Sequence, residues 1–207
     1  MSAFEFFFSF YGLLLGLSVA ELVSGFARVL HERHRVRFGW LTPLLALFVA
    51  VDIATFWNQA WVIFRGAPFN PFLLIVGLAI AATFYIAASI TFPRLDETGT
   101  EQVDLDAHYW SQRRTVFSCI MAANLIVFGV LMMLALGDNG FDRITGTARL
   151  WLGTAFFMVC AAVAGFAPRK LAAVALVAIL AYSLWSVSTS AIVLLQSGGW
   201  EPALSAK

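Results

Sequence analysis

The chain has 207 residues, of which 61% are hydrophobic and only 12% charged, with a formal net charge of +1. A soluble domain carries about 25% charged residues, so the composition excludes an ordinary water-soluble core and points to a multi-pass membrane protein. The balanced charge, without a clustered Lys/Arg stripe, leaves no basis for binding nucleic acid.

About 20 apolar residues in a helix cross the ~30 Å hydrocarbon layer of a bilayer. Apolar stretches predict spans at residues 4–29, 40–64, 72–92, 115–136, 148–166 and 171–195. The expected fold is all-α: a polytopic membrane bundle of six transmembrane helices forming a single transmembrane domain over residues 1–207. The first span is expected to stay in the protein rather than act as a cleaved signal. It is too long for a signal core, Glu5 stands where a basic segment would be, and it ends at Arg28 without a small-residue cleavage site. Gly12, Gly16, Ala20 and Ser24 recur every fourth position along it and would let another helix approach closely. Ser18, Glu21, Ser24, Gly25 and Arg28 share about a third of its circumference, so its last turns carry a polar stripe.

The connection after it, His31-Glu32-Arg33-His34-Arg35-Val36-Arg37, is basic enough to touch anionic lipid heads. His31 and His34 lack a further carboxylate or thiolate at suitable spacing, so a solvated basic turn is preferred over a metal site. The second span holds Asp52 about 18 Å beyond Trp40, close to the bilayer midplane. Thr55, Asn58 and Gln59 continue a polar stripe outward from it. An acid at the bilayer centre costs at least ~2.5 to 3.5 kcal/mol, which makes Asp52 and Glu21 the two most informative groups in the spans.

Residues 94–114 form the longest connection and the only segment with soluble character, its second half suited to a short amphipathic surface helix. In the fourth span Asn124 falls at a depth similar to Asp52, as do Tyr85 in the third and Ser183 in the last. No Lys or Arg is available at that depth, so Asp52 must be protonated, hydrated or bound to a cation. Glu21 is instead expected to pair with Arg94, Arg113 or Arg114 reaching down from the boundary. The fifth span has only 19 residues before the tight turn at Pro168, and a re-entrant hairpin is the alternative there. Cys119 and Cys160 lie in apolar stretches with no CxxC spacing and are expected to be packed thiols.

Orientation follows from basic residues, which stay on the cytoplasmic side of short loops. Arg28, Arg33, Arg35, Arg37, Arg94, Arg113, Arg114, Arg169 and Lys170 fall on one side, against Arg65, Arg143, Arg149 and Lys207 on the other. The first side is expected inside, with both termini outside, in a bacterial inner (plasma) membrane. The chain has no HExxH, GxSxG or P-loop, and no histidine within the spans, so enzyme is the less favoured class and no cofactor or metal is expected.

Two functions of different class follow. One is a small cation or proton channel or transporter using Asp52, Asn58, Gln59 and Asn124, with Glu21 as a structural ion pair. The other is a non-catalytic subunit or assembly partner of a larger membrane complex, or a homo-oligomer, docking through Gly12, Gly16, Ala20 and Ser24. A lipid-modifying enzyme built on His108, Tyr109, Arg113 and Arg114 ranks third.

Overall fold

The computed structural model describes residues 3–64, 71–95, 102–135 and 147–196. Their elements in chain order are α1 (Ala3–His31), β1 (Val36–Arg37), α2 (Leu41–Phe64), α3 (Pro71–Thr91), β2 (Val103–Asp104), α4 (Leu105–Ala135), α5 (Ala148–Phe166) and α6 (Arg169–Gln196). The architecture is an all-α bundle. Five helices are long and apolar enough to cross a membrane, within α1, α2, α3, α4 and α6, which makes this a multi-pass membrane protein. The remaining helix, α5, has the predicted bounds and a shorter apolar stretch, Leu150–Phe166. At 1.5 Å per residue its 19 residues reach about 28 Å. It is one unbroken helix, with no hairpin inside it.

Local chemistry sets the ends. Pro71 opens α3 at a position where a missing N–H costs nothing. Ala167 precedes Pro168 and is driven into extended backbone, φ −76° and ψ 169°, which stops α5. Helix α6 starts two residues later.

Helix α2 sits at the centre, packing on α1, α3, α4 and α6, while α1 also packs on α3, α3 on α4, and α5 on α4 and α6. The contact face of α1 is a heptad seam. Tyr11, Leu15, Ser18, Leu22, Gly25 and Val29 are buried, alternating by four and three residues, which is the spacing that keeps one face on a neighbouring helix. Gly25 is the close-approach residue, since a Cβ there would stand 2.9 Å from the Phe92 side chain.

The largest departure from expectation lies between α3 and α4. Helix α4 begins at Leu105, about ten residues before the predicted fourth span, so the second half of the supposed loop is the start of a long helix rather than a separate surface helix. Leu105, Tyr109 and Val116 are fully buried and belong to the same core as Phe117 and Ile120. Asp104 caps the helix, its Oδ1 accepting from the N–H groups of Asp106 (2.9 Å) and Ala107 (3.1 Å).

The same region clamps the start of α2. Val36 and Arg37 pair in parallel with Val103 and Asp104. The Leu41 N–H donates to Asp106 Oδ1 at 3.1 Å, and the Thr42 hydroxyl donates to the Leu105 carbonyl at 2.6 Å. One carboxylate from α4 therefore caps the N-terminus of α2, across 65 residues of sequence. Gly39 makes this possible, because a Cβ there would run into the Asp106 carboxylate. Gly39→Ala should accordingly lower the unfolding midpoint in detergent, with a loss of about 1–3 kcal/mol from overpacking and the displaced cap. An unchanged midpoint would mean that the clamp yields without cost.

Candidate functional site

Asp52 is buried, 5% exposed, on the central helix. Asn124 of α4 donates from Nδ2 to Asp52 Oδ2 at 3.3 Å and from the same nitrogen to the Ile120 carbonyl at 3.0 Å. Among the described residues no cation forms an ion pair with Asp52. The pair is thus an interhelical tie between α2 and α4, with an amide as the acid's neutral partner. Ser183 is buried in α6 but spends its hydroxyl on the Ile179 carbonyl of its own helix, and Tyr85 is exposed.

Asn58 and Gln59 do not join this pair; both are exposed. At 100° per residue, Asn58 is rotated about 120° from Asp52, whereas Gln59 keeps the same side but lies about 10 Å further along α2. The predicted polar stripe therefore splits into a buried acid–amide pair and two polar groups near the far end of the helix.

Glu21 pairs within its own helix. Arg28 reaches its carboxylate at 3.4 Å and also donates to the Ser24 hydroxyl at 3.0 Å. The expected partners Arg94, Arg113 and Arg114 make no ion pair with it, because Arg28 is two turns away on the same face and Arg113 is engaged elsewhere. Both members of the Glu21–Arg28 pair are partly exposed, with side-chain exposures of 29% and 40%.

Only part of the small-residue stripe is used inside the bundle. Gly12 faces α2, where a Cβ would stand 2.6 Å from the Trp57 ring. Gly16 has nothing within 4 Å of a Cβ position, and Ala20 and Ser24 are exposed, as is Ala27. These four lie opposite the heptad seam of α1. Its outward face therefore mixes these small residues with the exposed Leu13, Leu17 and Val23, and is edged by the Glu21–Arg28 pair.

The residues weighed for interfacial catalysis disperse. His108 Nε2 contacts the Ile90 carbonyl of α3 at 3.1 Å, Tyr109 is fully buried, and the Arg113 guanidinium donates to the Ala164 carbonyl of α5 at 3.3 Å. His31 and His34 are exposed, and no group of three or more His, Cys, Asp or Glu suited to a metal occurs among the described residues. Cys119 and Cys160 are free, half-buried thiols.

Three residues organise the basic end of the bundle in roles that the sequence did not reveal. Asp106 caps a distant helix. Trp110 carries Arg113 at 5.0 Å and Arg169 at 5.5 Å from its ring centroid. Arg113 itself, buried at 8% exposure, ties α4 to the last turn of α5, where free carbonyls and the helix dipole favour a cation. The spacing Leu105, Tyr109, Val116 was the signal available for this arrangement. Comparison with family models, with curated proteins and with solved structures finds no match to this chain.

Proposed function

We propose that this membrane protein is a non-catalytic assembly subunit that docks a second transmembrane helix, from another copy of itself, on the outward face of α1. The observation that carries this is a row of small residues, Gly16, Ala20, Ser24 and Ala27, on the side of α1 turned away from its own bundle, flanked by the partly exposed Glu21–Arg28 pair. Glu21 stands about 15 Å from the His31 end of the helix, a depth at which an acid facing acyl chains is costly. A covering helix would remove the pair from lipid, and Gly16, Ala20, Ser24 and Ala27 would let its backbone come close.

Mass measurement of the protein released from mild detergent or lipid nanodiscs tests the proposal. Two or more chains per particle support it, whereas a monomer with no companion under those conditions rejects it.

Asp52 favours a second reading, a proton or cation pathway. It is a deep acid on the central helix with the Asn124 amide beside it and no ion-pair partner among the described residues. Liposome flux separates the two: if Asp52→Asn abolishes a wild-type cation or proton flux, permeation is the function and the tie is its gate. Absence of flux in the wild type leaves Asp52–Asn124 as glue between α2 and α4.

A further inference from the structure

We infer that the basic end of the bundle binds the phosphate group of an anionic phospholipid, or a free phosphate of the same chemistry, between Arg113, Trp110 and Arg169. The indole of Trp110 gathers two guanidinium groups, at 5.0 Å and 5.5 Å from its centroid. Like charges drawn to one ring repel each other, and the quadrupole of a single indole offsets that only in part. The usual remedy is a carboxylate. Among the described residues, however, none of the ion pairs includes Arg113, Arg114, Arg169 or Lys170.

The backbone adds to the excess. Arg169 and Lys170 occupy the first turn of α6, which has no acidic residue. Free N–H groups and the positive end of the dipole there favour an anion and disfavour cations. Arg113 is buried yet uses one nitrogen on the Ala164 carbonyl, leaving further N–H groups of its five-donor fork. One turn away, the Tyr109 hydroxyl is buried and makes no hydrogen bond among the described residues. An anion with several acceptor oxygens suits this donor set, and Trp110 is a residue type that settles at headgroup level. Basic pockets between membrane helices recognise anionic headgroups in this way.

The test is native mass spectrometry of the full chain titrated with phosphatidylglycerol and, separately, phosphatidylcholine, for the wild type and for Arg169→Gln. Arg169 is exposed, so its replacement should leave the protein folded, with at most a small change in the unfolding midpoint from its contact on Trp110. The expected result is preferential retention of phosphatidylglycerol, weakened about fivefold in Arg169→Gln, the effect of one cation near an anionic group. Millimolar inorganic phosphate then distinguishes the sources. Displacement of the lipid by phosphate supports a site that reads the free anion, and persistence of the lipid supports a headgroup site. Equal retention of the two lipids, or an Arg169→Gln protein that binds like the wild type, overturns the proposal. A well-folded Arg113→Lys protein that keeps the charge but loses the fork should also bind more weakly, and undiminished binding there would remove Arg113 from the site.

Discussion

Asn124→Leu should destabilise the bundle by about 2–3 kcal/mol, because it leaves a buried carboxyl on the central helix without its hydrogen-bond partner. Asp52→Asn should behave differently. A carboxamide has nearly the shape of the acid and can exchange hydrogen bonds with Asn124, so the change should stay within about 1 kcal/mol, the scale of polar contacts between membrane helices. Midpoints of SDS-induced unfolding for the two variants test this contrast, and a cycle of Asp52→Leu, Asn124→Leu and the two combined gives the coupling. If Asn124→Leu were as stable as the wild type, the contact would not be holding α2 to α4.

Arg113→Ala should cost about 2–4 kcal/mol. The loss combines a charge-assisted hydrogen bond to the last turn of α5, worth about 1.5–3 kcal/mol, with a stacking contact on Trp110 worth about 0.5–1 kcal/mol. Because Ala164 and Trp110 belong to different helices, the effect should appear as loosening of α5. Faster hydrogen exchange in the last turns of α5, with α1 unaffected, would reveal it. Uniform exchange changes across all helices would point to global destabilisation instead.

The run lengths alone located most of the fold. Helices α1, α2, α3 and α6 begin and end within about two residues of the predicted spans, since membrane thickness imposes a length that apolar composition reports directly. Helix α4 escaped because its first turns carry His108, Gln112, Arg113 and Arg114, which read as a soluble loop when residues are scored for hydrophobicity. Their burial comes from spacing instead, with Leu105, Tyr109 and Val116 four and seven residues apart on one face.

The candidate site divides in a similar way. Depth arithmetic put Asp52 and Asn124 at one level, and they do meet. A helical wheel grouped Asn58 and Gln59 with them, but a wheel ignores where neighbouring helices stand. Burial at the far end of α2 is set by those neighbours, which the sequence of one helix does not contain. Small residues on α1 illustrate the same limit. Gly12 and Gly16 look equivalent as letters, yet one touches Trp57 and the other faces open space.

That difference supplies the most direct test of the docking face. In a background with Cys119 and Cys160 replaced by alanine, Gly16→Cys and Ala20→Cys proteins are oxidised in native membranes and resolved as monomer or covalent dimer. Gly16→Ile is compared with the wild type for mass in nanodiscs. A partner helix on α1 predicts a disulfide dimer at Gly16→Cys and Ala20→Cys, and a Gly16→Ile protein that folds normally but no longer associates. Monomers throughout, or a Gly16→Ile particle with the wild-type mass, would contradict it.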